Sequence, residues 1–194
     1  MEINEIVEKL KKTIKKSRFI HTNGVAYTAA SLAMRYDPSL MDDALRAGLL
    51  HDCAKYMSST QNIEFCKEKG IELTDFELKS PSIIHAKTGE YIAEHEYDEH
   101  DSAVLGAIRW HTTGKPDMTL LEKIVFVADY IEPGRYQLPN LDHIRELAFT
   151  DLDECIVSIY ENTIKYLKEC GQVIDPITLE AYDHYRNKQQ QIKN

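Results

Sequence analysis

Apolar residues recur at the three- and four-residue spacing of an α-helix along almost all of this 194-residue chain, and that pattern narrows the fold more than any other feature. Ile3, Ile6, Val7, Leu10 and Ile14 mark one stripe near the start, and Leu152, Cys155, Ile156, Ile159 and Leu167 mark another near the end. No convincing pair of alternating segments offers a sheet. Punctuation falls where helices should stop, at Asp37-Pro38, Gly70, Ser80-Pro81 and Gly171, with Ser58-Ser59-Thr60 placed to cap a helix start. The spacing predicts helices over 2–16, 20–36, 41–55, 59–69, 82–95, 101–111, 119–131, 141–149, 151–170 and 176–190. The fold class is therefore all-α. Hydrophobic residues make up 43% of the chain, enough for a sizeable core, and one domain over 1–194 is expected. Its chemistry should lie within 18–136, with the C-terminal helices of 141–190 packing on that part.

Charge and cysteine usage exclude several classes of function. A formal net charge of −9 argues against stable nucleic-acid binding, which needs a basic surface. A small anion can still bind where a metal and a few cations focus positive charge in one cleft. Cys53, Cys66, Cys155 and Cys170 form no C-x-x-C pair, so neither a zinc ribbon nor a disulfide framework is expected. They read as buried free thiols in a reducing compartment. The segment from Met1 to Lys16 is charged at every turn, no apolar run reaches membrane-spanning length, and a cytoplasmic protein without membrane contact is expected. The oligomeric state stays open, a homodimer included.

The adjacent pair His51-Asp52 closes the apolar stretch Ala44 to Leu50 and asks for a metal. Imidazole and carboxylate are both good ligands for a divalent cation, and an ionised Asp carried into a core behind Leu49-Leu50 is costly without a compensating charge. Consecutive helical residues point about 100° apart, so the two flank one point beside the helix and need partners from elsewhere. His21, His85, His111 and Asp129 are the candidates. Asp129 ends the run Ile124-Val125-Phe126-Val127-Ala128, where a buried charge again implies a cation. By contrast, His95-Glu96-Tyr97-Asp98-Glu99-His100-Asp101 reads as a solvated connection, and His143 and His184 as surface residues.

In order and context these residues resemble the HD-domain metal-dependent phosphohydrolases, whose pattern is H…HD…D. Within them the chain is most similar to the YqeK family of bacterial symmetrical diadenosine tetraphosphatases. The resemblance is carried by Arg18-Phe19-Ile20-His21-Thr22, by Ala47 to Lys55, by Ile84-His85, by Ala107 to Gly114 and by Ala128 to Arg135. It covers about 18 to 180. Asn23 departs from the apolar or small residue expected there and leaves the ligands untouched. The resemblance implies an HD-domain helical globule with a central metal site, whose ligands are His21, His51, Asp52 and Asp129. It also implies iron, although a nitrogen and oxygen donor set suits manganese, cobalt, nickel or zinc as well.

Two roles fit His85 and His111. As ligands they would build a second metal bridged by Asp52; as neighbours of one tightly held metal they would face the substrate phosphate and protonate a leaving oxygen. The second arrangement is favoured, with room to recruit a second ion. Lys55 follows His51-Asp52 by one helical turn, so its ammonium can overhang the metal. Given the resemblance, Arg18 and Arg135 read as phosphate forks, and Thr112 offers a hydroxyl at a helix end. Asp52, His85 and His111 are thus expected to carry catalysis, and Arg18, His21, Lys55, His85, His111, Thr112, Asp129 and Arg135 to meet the substrate.

The expected reaction is cleavage of a dinucleoside polyphosphate, diadenosine tetraphosphate giving two ADP, an outcome implied by the resemblance alone. Rival readings are a sister deoxynucleotide phosphatase, a cyclic-dinucleotide phosphodiesterase, or a non-catalytic nucleotide sensor. The phosphodiesterases usually carry a Gly-Tyr-Pro motif that this chain lacks, and a sensor would have lost a ligand. The segment Gly171 to Pro176 reads equally as a turn or as a flap over a nucleotide.

Overall fold

A computed structural model of the chain describes residues 1–192, and among these every regular element is a helix. In order they are α1 (Ile3–Thr13), α2 (Lys16–Tyr36), α3 (Met41–Leu50), α4 (Ser59–Lys69), α5 (Asp75–Lys79), α6 (His85–Glu96), α7 (Ser102–Trp110), α8 (Leu120–Ile131), α9 (Leu141–Thr150), α10 (Leu152–Glu169) and α11 (Pro176–Ile192). Single 3₁₀ turns at Pro38–Leu40 and Pro81–Ile83 lead into α3 and α6. No described helix is long and apolar enough to cross a membrane.

The core forms around α2, α3, α7 and α8. The α8 helix buries Leu121, Ile124, Val125, Phe126, Val127, Ala128 and Ile131, an apolar surface too wide for a helix with one wet face. Neighbours cover it on several sides: α2, α3, α7, α9 and α10 all pack against it. The buried side of α2 is mostly alanine, with Ala26, Ala29, Ala30 and Ala33 beside Val25 and Leu32, which lets α3 approach closely. Gly48 makes the approach possible. A Cβ at that position would stand 2.6 Å from the Cα of Ala26, so the helix-propensity cost of glycine, about 1 kcal/mol, is accepted for close packing.

Two predicted boundaries move by four residues or more. The second helix starts at Lys16, four residues early, so Arg18 shares a helix with His21. The third stops at Leu50 instead of 55. Beyond it, tight turns bond Cys53 N–H to Leu50, Lys55 N–H to Asp52 and Met57 N–H to Ala54. The five-residue α5 was not anticipated, although a capping box between Thr74 and Glu77 announces it. One thiol also departs from expectation: Cys170 is exposed because it follows the end of α10, while Cys53, Cys66 and Cys155 are buried.

Candidate metal centre and adjoining pocket

The close approach of α3 to α2 sets the turn after Leu50 beside the middle of α2, and α8 closes the third side with Asp129. His21, His51, Asp52 and Asp129 therefore converge. His21 Nε2 lies 3.0 Å from Asp129 Oδ1 and 3.8 Å from Asp52 Oδ2, and His51 Nε2 lies 3.4 Å from Asp52 Oδ2 and 3.9 Å from Asp129 Oδ1. Both imidazoles are oriented from behind. His51 Nδ1 donates to the Gly48 carbonyl at 2.7 Å, and His21 Nδ1 donates to Glu132 Oε1 at 3.0 Å. With Nδ1 protonated in each ring, both Nε2 lone pairs point into the cluster, where both atoms are buried without an aligned hydrogen-bond partner. Two orphaned imidazole nitrogens between two carboxylates are a fitting donor set for a divalent cation.

His85 and His111 stand on the other side of Asp52. Their Nε2 atoms are 3.3 Å and 3.7 Å from Asp52 Oδ1 and 3.1 Å from each other. Each Nδ1 is spent on a carbonyl, Ser82 for His85 and Ile108 for His111, so two lone pairs face one another. Such a pair requires a shared proton or a cation. Thr112 Oγ1 completes the group at 3.3 Å and 3.1 Å from the two nitrogens. The donors of His51, Asp52 and His111, like those of His21, His51 and Asp129, all lie within 4.8 Å of one another, so His111 also stands where it could hold a metal.

Burial and charge set opposed pressures on these groups. Burial raises the Asp52 carboxyl, but its neighbours His51 and His111 hold it well below the ordinary carboxylate value. Asp129 is likewise pushed up by burial and drawn below its ordinary value by His21, His51 and His111. Burial, reinforced by His111 and Lys55, drops His85 well below the ordinary histidine value, leaving it neutral at pH 7. Lys55 is also depressed by burial, against the opposing pull of Asp52.

Arg18 and Arg135 reach the centre, though not as free forks, and Lys55 stands near enough to feel the charges of Asp52 and Asp129. Arg18 Nη1 donates to Asp52 Oδ2 at 2.7 Å, and Arg135 Nη2 to Asp129 Oδ1 at 3.0 Å. The two arginines are tied to the carboxylates and lie within reach of anything those carboxylates hold. Glu132 was missed by sequence reasoning. It is 4% exposed, binds His21 from behind and accepts from the Gly134 N–H, and Gly24 on α2 leaves it room, since a Cβ there would meet its Oε2 at 2.5 Å. Its place before Pro133-Gly134 read as a helix end; only its distance of one turn from Asp129 hinted otherwise.

Beside the cluster opens a cavity of about 220 Å³, far above the roughly 10–15 Å³ that one water occupies on the same measure. His111, Thr112 and Asp129 form its inner wall, and Phe76, Ile83, Phe126, Tyr130 and Tyr160 its apolar sides. Thr163 and Leu167 of α10, together with Gln172, Val173 and Asp175, close it. The C-terminal part thus supplies a wall of the site and is more than packing, and the segment after Gly171 belongs to that wall. Away from the centre, His143 is exposed and His184 pairs with Asp117 at 3.2 Å, while His95 stacks on Tyr91. The polar run 95–101 is only partly solvated, because Glu99 is buried in an ion pair with Arg46 at 2.6 Å.

Comparison with known proteins shows the family. The HD domain family matches residues 18–134. The chain is 38% identical over 183 residues to the symmetrical bis(5′-nucleosyl)-tetraphosphatase of Halalkalibacterium halodurans, covering 94% of this chain and 96% of that one. It is 35% identical to the protein of the same description from Bacillus subtilis, over 94% of this chain and 97% of that one. The fold is similar to the crystal structure of a "predicted HD superfamily hydrolase involved in NAD metabolism" from Clostridium acetobutylicum, with a TM-score of 0.92 and 36% identity over 97% and 98% of the two chains.

Proposed function

The chain belongs to the HD-domain family, and from that premise we propose that it hydrolyses dinucleoside tetraphosphates symmetrically, converting diadenosine tetraphosphate and water to two ADP. One observation carries the reading. The cluster with two orphaned buried Nε2 atoms and the aromatic-walled cavity share His111, Thr112 and Asp129, so a phosphate at the cluster and a nucleoside in the cavity are neighbours. The names of the relatives from Halalkalibacterium halodurans and Bacillus subtilis support the choice of substrate.

His21, His51, Asp52 and Asp129 would hold the metal, for which we propose iron; His85, His111 and Asp52 Oδ1 offer the place for a second ion. When bound, a divalent cation supplies charge stabilisation at the phosphoryl oxygens and makes a water-derived nucleophile accessible at neutral pH. The remaining work falls to side chains. Arg18, Lys55 and Arg135 neutralise the polyphosphate and the charge that develops on the leaving group. A proton held between His85 Nε2 and His111 Nε2 passes to the leaving phosphate oxygen, with Thr112 Oγ1 orienting it. Phe126, Tyr130 and Tyr160 exclude water around the nucleoside, and Arg145, through three backbone carbonyls, holds the turn that carries Glu132 and Arg135. The cytoplasm, where nucleotides and reduced thiols coexist, is the setting this chemistry suits.

The full ligand set argues against a sensor, and an aromatic-walled cavity beside a cationic rim favours a linear polyphosphate over a cyclic dinucleotide. Kinetics of the metal-loaded protein on adenosine and guanosine tetraphosphate dinucleotides, a cyclic dinucleotide and a deoxynucleoside triphosphate test the reading. Both tetraphosphates should have the higher kcat/KM; faster hydrolysis of either other compound would transfer the assignment to a sister activity.

A further inference from the structure

The proposed substrate has two nucleoside arms, and the cavity beside His111 accounts for one. Resting on that reading, we propose that the open groove between Arg135 and Arg145 seats the second nucleoside, with Tyr136 as its stacking platform. Continuity is the first argument. Asp129 lines the cavity beside His111, its Oδ1 accepts from Arg135 at 3.0 Å, and Arg135 itself lines the groove together with Tyr136, Leu138, Leu141, His143 and Arg145. A polyphosphate centred on the metal cluster and held by Arg135 is thereby led out of the cluster into the groove.

The character of the groove is the second argument. Arg135, Arg145 and His143 line the groove with one acidic side chain, Asp142; Arg135 is also paired with Asp129 and His143 with Glu146, and this cationic lining suits the phosphate and ribose end of the arm. Tyr136 is 83% exposed, and an aromatic face in water beside an arginine is the surface on which a nucleobase stacks.

Preorganisation is the third. Arg145 Nε donates to the Ile131 carbonyl at 3.1 Å, and its Nη2 donates to Glu132 and Arg135 carbonyls at 3.2 Å and 3.1 Å. At the far end Asn162 Nδ2 donates to the Pro139 carbonyl at 2.9 Å. The backbone that carries Tyr136 is clamped on both sides, so ordering it on binding costs little. Stacking is indifferent to base identity, so this groove reads the presence of a second base and not its kind.

The test compares two ligands that share one nucleoside and the phosphate chain. KM for diadenosine tetraphosphate and the competitive inhibition constant of adenosine 5′-tetraphosphate, which lacks the second nucleoside, are measured on metal-loaded wild type, Tyr136→Ala and Tyr136→Phe. Tyr136→Ala should raise KM for the dinucleotide about tenfold. The inhibition constant of the mononucleotide should stay within about twofold, and Tyr136→Phe should keep both near wild type. An unchanged KM in Tyr136→Ala, or an equal loss on both ligands, overturns the proposal. If the wild type turns over no dinucleoside tetraphosphate, the parent reading falls and takes the groove's role with it.

Discussion

Replacing Glu132 with Gln should weaken metal binding while leaving the helices in place. The carboxylate accepts two hydrogen bonds that matter: one from His21 Nδ1 at 3.0 Å, one from the Gly134 N–H. A glutamine amide of the same shape has one oxygen and one NH₂, so it can accept only one of them and turns a donor toward the other. One buried donor is left unsatisfied, at a cost of about 1–3 kcal/mol, and the His21 ring loses the carboxylate that orients it. Outer partners of metal-binding histidines are worth about 10- to 100-fold in affinity, or roughly 1.4–2.7 kcal/mol. Calorimetric titration of the metal-stripped protein with Mn²⁺ should therefore give a Kd larger by that factor, while far-ultraviolet circular dichroism stays helical. A folded variant whose Kd lies within twofold of wild type would refute the orienting role of Glu132.

Asp52→Ala should lose both metal and turnover with the fold retained, whereas His85→Ala and His111→Ala should lose about 100-fold or more in kcat and still hold at least one equivalent by elemental analysis. Arg135→Ala should raise KM for diadenosine tetraphosphate about tenfold, and Arg135→Lys should recover only part of it because the fork is lost; steady-state kinetics decide. Glu77 yields a pH-dependent stability. Burial raises its carboxyl, but the bond from Lys87 at 2.7 Å and that from Thr74 bring it below the ordinary 4.5, so its contribution is full above pH 4.5 and is lost as pH falls through the folded value. Glu77→Gln should cost roughly 1–3 kcal/mol at pH 7 and progressively less as pH is lowered below 4.5, measured by thermal melts across that range.

The helices were legible because a stripe of Ile, Leu, Val and Ala at helical spacing leaves little choice of fold, and Ser58, Thr119 and Asp151 cap their helices with the side chains the sequence advertises. The α5 helix was not, since five residues carry too short a period to detect, and the turn after Leu50 was hidden by apolar residues that continue the stripe through Ala54. In the site, His51-Asp52 and Asp129 stood out because acids behind long apolar runs need a partner. Glu132 did not stand out, as its burial comes from Gly24 on α2, more than a hundred residues away in sequence. The cavity wall was equally illegible: Thr163 and Leu167 look like ordinary positions on α10 until that helix is packed on α8.

The central claim is that this centre splits a tetraphosphate bridge in the middle. Separation of the nucleotides formed when the metal-loaded protein consumes diadenosine tetraphosphate tests it most directly. The account predicts ADP alone, two for each dinucleotide consumed; AMP and ATP in equal amounts, or an intact substrate, would contradict it.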